Sequence, residues 1–400
     1  MSDQMLTTQT TVVSPTVVTI ETTEKLKAFC DRMSNEAFIA VDTEFLRETT
    51  YYPKLCLIQI AGAEEAVLID PLSNGIDLAP FFELMANKKI LKVFHAARQD
   101  FEILMLLSGA VPTPTIDTQI AAMVCGFGDQ VGYEAIVRKL VGASIDKSSQ
   151  FTDWSRRPLT TKQSLYAISD VTHLRVVYEK LLDQLHKTSR EKWLDDEIET
   201  LTSPETYRVE PEESYKRIKA RIQNKKQFGV LMSIAAWRER EAQTRNVPRG
   251  RILKDEALAE IAIQMPQKPE AINELRLVSK GTANSSNGTA ILKAVAHGLA
   301  RDPKTIPDFK GRGEDMSSAA QAAAEVLKLA MKVVCETAGV APKLLASASE
   351  IDAIAIDDNA DVPLLKGWRR ELFGQVALDI KHGKACIGME NGRAMVMRRT

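Results

Sequence analysis

The chain has 400 residues, a formal net charge of −1, 44% hydrophobic residues and 26% charged residues. This length predicts two or three domains, and the composition is that of a soluble globular protein. Because the net charge is near zero, the charge of the whole chain gives no evidence for a polyanionic partner. Only local clusters of charge bear on that question.

The cysteines and the apolar runs exclude further classes of protein. The five cysteines are scattered, odd in number and without CxxC spacing, which argues against a disulfide framework or a zinc site and favours a cytoplasmic location. No apolar run approaches the length of a membrane span, so we expect no membrane association. Residues 1–15 are rich in Ser, Thr and Gln and lack the order of a signal peptide, so we expect a flexible tail.

Strands and helices alternate between residues 16 and 187. The hydrophobic patterns predict strands at 16–20, 38–41, 55–61, 66–69 and 90–94, with a hairpin turn at 62–65. They predict helices at 24–33, 78–86, 100–107, 118–125, 133–141 and 160–185. This order predicts an α/β domain whose mixed sheet carries helices on both faces.

The helix at 160–185 has the clearest start signal. Thr160 and Gln163 have the spacing of a capping box, in which each side chain satisfies a backbone N–H of the other residue. Tyr166 and Asp170 are four residues apart within this helix. They are therefore expected on one face of it.

The composition changes near residue 190. Residues 188–213 are acidic and interrupted by prolines, which predicts a linker and a domain boundary. Residues 214–254 then contain twelve Lys and Arg residues but only Glu239 and Glu241 as acids, an excess of ten positive charges. Further helices are predicted at 228–245, 255–263, 317–338, 342–355 and 365–378, with a loop at 281–288. We expect two successive all-α helical bundles, at 214–300 and at 301–400 with a C-terminal tail.

Four acidic residues stand at the ends of predicted elements. Asp42 and Glu44 follow the strand at 38–41, and their spacing points both side chains to the same side. Asp100 opens a helix after the strand at 90–94, and Asp170 lies in the helix at 160–185. If these elements are adjacent, four carboxylates meet at one edge of the sheet. They are then either ligands of two Mg²⁺ or Mn²⁺ ions that cleave a phosphodiester, or helix caps and solvated acids.

These acids carry a family resemblance. Asp42-x-Glu44, Asp100 and Tyr166-x-x-x-Asp170 resemble the three motifs of the DEDD 3′→5′ exonucleases, in the branch that has a tyrosine. The longer segments FIAVDTEFLRETTYYPKLCLIQIA, KVFHAARQDFEIL and DWSRRPLTTKQSLYAISDVTHL are similar to the ribonuclease D family. Residues 237–240 (WRER) and 245–249 (RNVPR) resemble the helicase-and-ribonuclease-D C-terminal (HRDC) fold, and the second helical module resembles it more weakly.

The resemblance implies a ribonuclease H-like mixed sheet flanked by helices, followed by two HRDC-like domains. It implies an exoribonuclease that removes nucleoside 5′-monophosphates from RNA 3′ ends, with transfer-RNA precursors as characteristic substrates and two divalent ions at the site. The four acids would bind these ions, and Tyr166 would aim the attacking water. We expect a monomer.

Other residues near the motifs are weaker candidates for substrate contacts. They are Thr43, Phe45, Gln59, His95, Trp154, Arg156 and Arg157. Phe45 is equally a stacking or a core aromatic, and His95 is more readily a structural histidine. Trp154 and the two arginines either contact phosphates or anchor the loop before the last helix.

Three functions remain open at this point. The motifs also fit a DNA exonuclease in repair or proofreading, because two-metal hydrolysis needs no 2′-hydroxyl group. A non-catalytic RNA-binding scaffold is disfavoured, because it has no need to hold repelling carboxylates together. The basic stretch at 214–254 is either an RNA-binding surface or a solvated helical face that pairs with the acidic linker.

Overall fold

A six-stranded mixed sheet forms the centre of the N-terminal domain in a computed structural model that describes residues 17–307 and 316–399. The tail predicted at 1–15 and the first residue of the strand predicted at 16–20 lie outside the described residues. The strands are β1 (Val18–Ile20), β2 (Phe38–Leu46), β3 (Lys54–Ala61), β4 (Ala66–Ile69), β5 (Leu91–Phe94) and β6 (Thr115–Asp117). Their order across the sheet is β1-β4-β3-β2-β5-β6.

Helices cover both faces of this sheet, as the sequence predicts. They are α1 (Thr23–Met33), α2 (Ala79–Ala86), α3 (Arg98–Ser108), α4 (Thr118–Val124), α5 (Tyr133–Leu140) and α6 (Thr161–Thr188). Helices α4, α5 and α6 share one hydrophobic core with the sheet, and α1, α2 and α3 share the core on the opposite face. The capping box of Thr160 and Gln163 is present at the start of α6.

Strand β2 lies in the middle of the sheet. It pairs with β3 in antiparallel register and with β5 in parallel register. The strand continues through Asp42 and Glu44 to Leu46 and does not end at Val41 as predicted. The acids are therefore held by strand pairing on one side, with Asp42 opposite Gln59, and the register shifts only after Glu44.

Lys92 is a fully buried lysine on β5. Its ammonium group donates to the backbone oxygens of Asn87 (2.8 Å), Ile90 (3.0 Å) and Thr113 (2.7 Å). Burial lowers the pKa of Lys92 to about 8. Three carbonyl acceptors match the three donors of an ammonium group, so this side chain joins β5 to the segment before β6.

The acidic connector is partly helical and packs on the N-terminal domain. It contains α7 (Asp195–Thr202) and 3₁₀ turns at Glu191–Leu194, Pro204–Thr206 and Pro211–Arg217. Leu194 packs into the core on the α6 face of the sheet, and Leu201 and Tyr207 pack on the opposite core. The connector therefore wraps an edge of the domain.

The first helical module follows the connector. Its helices are α8 (Lys225–Arg245), α9 (Arg249–Ile252), α10 (Asp255–Gln264), α11 (Pro269–Asn273) and α12 (Ser286–Leu299). The loop predicted at 281–288 is wrong in part, because a 3₁₀ turn at Thr282–Asn284 and the start of α12 occupy it. Helices α8 and α12 approach so closely that a Cβ on Gly298 would lie 2.5 Å from the Val230 Cα.

The C-terminal region is mostly helical, with α13 (Ser318–Ala338), α14 (Pro342–Leu345), α15 (Ala348–Ile356), α16 (Gly367–Arg369) and α17 (Gln375–Lys381). The single helical segment predicted at 342–355 is divided, because Ser347 and Glu350 form a capping box that starts α15 anew. A 3₁₀ turn at Pro363–Leu365 and a π-helical turn at Arg370–Gly374 flank α16.

The expectation of an all-α C-terminal module is wrong at its end. Strands β7 (Ala385–Glu390) and β8 (Arg393–Arg398) form an antiparallel hairpin. Asn391 and Gly392 both have positive φ at its turn, which is the Asn-Gly pattern of a tight hairpin. Within the part of the chain that the structure describes, every helix is too short or too polar to cross a membrane.

Candidate active site

Three carboxylates meet where β2 faces helix α6. Ligand oxygens of Asp42, Glu44 and Asp170 all lie within 4.8 Å of one another. Asp42 and Glu44 are two residues apart on β2 and therefore point to the same face of the sheet. Asp170, on α6, is 5% exposed. The structure thus brings together three of the four acids that the sequence singles out.

Asp100 is linked to β2 through Thr43, which lies between Asp42 and Glu44. It lies in the first turn of α3 and is buried, with 6% of its surface exposed. The hydroxyl group of Thr43, which points away from Asp42 and Glu44, donates to the Asp100 carboxylate. Thr43 is therefore a link between the first and second acidic motifs, and its side chain is buried.

Asp117 fixes the start of α3 and was missed by the sequence reasoning. Its carboxylate accepts from the backbone N–H groups of Ala96 (2.9 Å), Ala97 (2.9 Å) and Gln119 (2.7 Å). Ala96 has a positive φ of 57°, an uncommon conformation for alanine that these bonds stabilise. An aspartate directly before a predicted helix is an N-cap signal that would have identified it.

Helix α6 is fixed on the sheet by two contacts that also place Asp170. Arg175 donates to the backbone oxygens of Phe38 (3.0 Å) and Ala61 (3.3 Å), and its guanidinium lies over the Phe38 ring. On the other side the Tyr133 hydroxyl donates to the backbone oxygen of Asp170. The sequence reasoning did not identify Tyr133 or Arg175.

Burial and mutual repulsion raise the pKa values of the clustered acids. Burial raises the pKa of Asp42 well above its usual range, with further contributions from Asp100, Asp170 and Glu44. Burial, with the charges of Asp170 and Asp100, raises the pKa of Glu44 to about 9. Burial also raises the pKa values of Asp100 and Asp170. Within the described residues, no positively charged side chain is among the causes of these pKa shifts, so none lessens the repulsion between the acids.

Tyr166 lies one helical turn before Asp170 and beside the same cluster. Burial and the charges of Asp170, Glu44 and Asp42 raise its pKa far above the usual tyrosine range. A hydrogen bond from the Tyr166 hydroxyl to Asp170 partly offsets the effect of burial on Asp170. The phenol therefore stays protonated and can donate a hydrogen bond at the edge of the acid cluster.

The donor set fits a divalent metal centre. Carboxylate oxygens are the ligands that Mg²⁺ and Mn²⁺ prefer, and three of them are within reach of one point here. Asp170 Oδ1 is buried and has no hydrogen-bond partner among the described residues. An unpartnered buried oxygen in a group of repelling carboxylates is the arrangement that a bound cation would complete.

The loop before α6 is anchored rather than open. Arg157 pairs with Asp70 at 2.5 Å and donates to the Cys56 backbone oxygen at 2.6 Å. Trp154 is 2% exposed, and its ring lies 6.1 Å from that of Tyr166. These placements favour the anchoring alternative for both residues. Arg156 is exposed and forms a surface ion pair with Asp153 at 3.3 Å.

The remaining candidates are mostly enclosed. Gln59 is fully buried beside Asp42, and neither end of its amide has a partner among the described residues. His95 is half-buried, and its ring nitrogens lie 2.9 Å from the Thr118 hydroxyl and 3.2 Å from the Val131 oxygen. Burial lowers the pKa of His95, which favours a structural role. Phe45 packs partly against the core on the α3 face.

The basic stretch divides into paired and unpaired side chains. Lys216 and Arg240 pair with Glu213 and Glu212 of the connector. Arg238, Arg245 and Arg249 pair with acids of their own module. Ion-pair partners are absent, among the described residues, for the exposed side chains of Lys219, Arg221, Lys226, Arg251 and Lys254. Lys216 and Arg240 therefore pair with the acidic linker as one alternative predicts, and the exposed residues without ion-pair partners stay candidates for the RNA-binding alternative.

Two family models match the chain. A 3′-5′ exonuclease model matches residues 17–186, which contain all four acids and Tyr166. An HRDC domain model matches residues 227–295, within the first helical module.

Individual proteins match over nearly the whole chain. Ribonuclease D of Nitrobacter hamburgensis is 49% identical over 381 residues, which cover 95% of this chain and 99% of that protein. Ribonuclease D of Gluconacetobacter diazotrophicus is 46% identical over 379 residues, with 95% and 96% covered. The crystal structure of Escherichia coli RNase D superposes with a TM-score of 0.81 at 29% identity, over 92% of this chain and 99% of that one. The chain belongs to the ribonuclease D family of 3′→5′ exoribonucleases.

Proposed function

We propose that Asp42, Glu44, Asp100, Tyr166 and Asp170 carry the exoribonuclease reaction by two-metal hydrolysis. The observation that carries this proposal is the meeting of ligand oxygens of Asp42, Glu44 and Asp170 within 4.8 Å of one another, with Asp170 Oδ1 unpartnered among the described residues. Asp100 joins them through Thr43. Holding such a cluster costs stability, and a metal-binding role accounts for that cost.

The four carboxylates would hold two divalent ions, Mg²⁺ or Mn²⁺. When bound, these ions supply an activated water and stabilise the departing 3′ oxygen. Tyr166, with its phenol held protonated beside Asp170, would orient the attacking water through its hydroxyl oxygen. Attack at the last phosphodiester breaks the bond between phosphorus and the 3′ oxygen and releases a nucleoside 5′-monophosphate.

The substrate class follows from the relatives and from local charge. E. coli RNase D is described as an exoribonuclease involved in structured RNA processing. We propose that this chain trims transfer-RNA precursors and other structured RNA with 3′ extensions, as a cytoplasmic monomer. Lys219, Arg221, Lys226, Arg251 and Lys254 would bind phosphates of the RNA body.

We propose a domain organisation of 1–15 tail, 16–187 exonuclease, 188–213 linker, 214–300 HRDC and 301–400 second HRDC-like module. Support for the second module is the separate hydrophobic core formed by α13, α15 and α17. Its closing hairpin, β7–β8, is an addition to the helical pattern.

An end-labelled degradation assay tests the proposed function. Transfer-RNA precursors, an unstructured RNA and a DNA of matched sequence are incubated with Mg²⁺ or Mn²⁺. We expect stepwise shortening from the 3′ end, fastest for the precursors, with release of 5′-monophosphates. Preferred shortening of DNA would establish the repair or proofreading alternative, and RNA binding without shortening under any metal condition would establish the scaffold alternative.

A further inference from the structure

The first helical module forms several hydrogen bonds with a loop of the catalytic domain. The loop, residues 47–53, joins β2 to β3, and Tyr51 on it inserts between α8 and α9. The Tyr51 hydroxyl donates to Glu239 and accepts from Arg249 (3.0 Å) and Gln243 (3.2 Å). All hydrogen-bonding positions of this hydroxyl are therefore filled by the module.

Two further contacts involve Asn246 and the ring of Tyr51. We call the contacts of Tyr51 with Glu239, Gln243, Asn246 and Arg249 the Tyr51 clamp. Asn246 accepts from the backbone N–H groups of Tyr51 (3.1 Å) and Tyr52 (3.0 Å) through one side-chain oxygen. The Arg249 guanidinium lies 4.7 Å from the centre of the Tyr51 ring. Arg249 also makes two bonds to Glu239, at 2.5 and 2.6 Å, and Glu239 is fully buried.

The clamped loop is connected to the two elements that carry Asp42, Glu44 and Asp100. It begins three residues after Glu44, where β2 ends at Leu46, and the register of β2 shifts between Glu44 and Phe45. Arg47, at the start of the loop, pairs at 3.3 Å with Glu102, which lies two residues after Asp100 on α3. The loop thus connects the strand that carries Asp42 and Glu44 to the helix that carries Asp100.

We infer that the first helical module positions the loop at 47–53, and through it the acid-bearing end of β2, so that the module determines turnover at the last phosphodiester as well as RNA affinity. The inference rests on the proposed function. Misplacement of a reacting group by about 1 Å can cost about 100-fold in rate, so a loop held by one clamp can control turnover.

The test uses two clamp variants of the full chain. Tyr51→Phe removes the hydroxyl from the catalytic side but keeps the ring under Arg249. Asn246→Gly removes the acceptor from the module side, and glycine keeps the left-handed conformation, since Asn246 has φ of 48°. Asn391→Gly in the C-terminal hairpin turn, with φ of 50°, is the matched control.

Each variant is assayed with an RNA trinucleotide, which occupies the acid cluster alone, and with a long structured RNA. For both clamp variants we expect kcat to fall about 10-fold on both substrates, with KM for the long RNA changed less than about two-fold. Trypsin should also cleave faster after Arg47 or Lys54 in both variants. Asn391→Gly should match wild type in every measurement.

The outcomes separate the two proposals. Higher KM for long RNA with unchanged kcat on the trinucleotide would overturn the inference and leave the module as an RNA-binding element only. Unchanged kcat in both variants, with active wild type, would also overturn it. Wild-type protein that shortens no RNA would instead remove the proposed function, and the inference with it.

Discussion

Two sites in this molecule enclose carboxylates, one at Glu239 and one at the acid cluster, and they differ in whether the protein supplies partners for the charge. Glu239 in the first helical module is fully buried, and Arg249 and Tyr51 supply partners for its charge. Asp42, Glu44 and Asp170 are held within 4.8 Å of one another, and Asp170 keeps an unpartnered oxygen among the described residues. The same cost of burying charge is offset inside the protein at the clamp and left for a ligand at the acid cluster.

Changing an acid of the cluster to its amide should have the largest effect on activity. The same change should leave the stability of the metal-free protein unchanged or raise it. In Asp42→Asn we expect exonuclease activity to fall by at least about 1,000-fold, because a metal centre supplies several kcal/mol of transition-state stabilisation. The metal-free variant should melt at the same or a higher temperature than wild type, because one repelling charge is gone. Activity assays and calorimetry without metal check both expectations.

RNA affinity supplies the control for this variant. Because the proposed RNA-binding residues lie on the helical module, Asp42→Asn should keep most of the affinity for a long RNA. Retained turnover would show that the cluster is not the reaction centre.

Changing the buried acid of the Tyr51 clamp, Glu239, to its amide should destabilise the protein. Glu239→Gln leaves Arg249 without its charge partner, and removing one partner of a buried pair costs about 3–5 kcal/mol. Because the Arg249 side chain is 35% exposed, the expected cost is smaller. We expect about 2 kcal/mol in the free energy of unfolding, allowing for this solvent screening. Denaturant unfolding measures this cost. A stability equal to that of wild type would show that Arg249 and Tyr51 do not offset the buried charge of Glu239.

Metal should stabilise the acid cluster more as the pH rises. Burial and neighbouring acids raise the pKa of Glu44 to about 9 and raise those of Asp42, Asp100 and Asp170. Raised folded-state pKa values favour the metal-free fold at low pH, and this contribution is lost as the pH rises toward about 9. Divalent ions bind the ionised carboxylates, so their stabilisation grows in the same direction.

Melting temperatures with and without Mg²⁺ measure this linkage. We expect the Mg²⁺-induced increase to be larger at about pH 8.5 than at about pH 6, by about 2–4 °C for each kcal/mol of added stabilisation. Asp42→Asn should show a smaller pH dependence of this increase. An increase that is the same at both pH values would show that the acids are already ionised at the lower pH.

An exposed acid of the connector should show the smallest effect. Glu212 pairs with Arg240, and both side chains are more than half exposed, at 57% and 54%. Because exposed pairs contribute little, Glu212→Gln should change the free energy of unfolding by less than about 1 kcal/mol. A cost comparable to that of Glu239→Gln would show that burial does not separate the two sites.

Local patterns in the sequence predicted the elements that carry the site. The apolar run before Asp42, the capping box of Thr160 and Gln163, and the four-residue spacing of Tyr166 and Asp170 are all local signals, and the structure contains each element. That the acids meet was an inference from the family motifs. Periodicity alone does not say which strands pair, because pairing is a long-range property of the fold.

The contacts that support the site were not predictable in the same way. The bond from Thr43 to Asp100 joins residues 57 positions apart in sequence. The bonds that Asp117 accepts from Ala96 and Ala97 depend on the parallel pairing of β5 with the three-residue strand β6. Such a short strand gives too weak a periodic signal to identify. In contrast, the Asn391-Gly392 turn of the C-terminal hairpin was readable and was overlooked.

Because Lys92 is buried, its chemical labelling can report local opening of the sheet. Amine-directed reagents need a neutral, accessible nitrogen, and the Lys92 ammonium is fully buried against three backbone oxygens. In the native protein Lys92 should therefore stay unmodified while exposed lysines are acetylated. It should become labelled only when β5 separates from the segment before β6. Mass spectrometry of one tryptic peptide would then follow the opening of the sheet beside Asp100, independently of any RNA or metal.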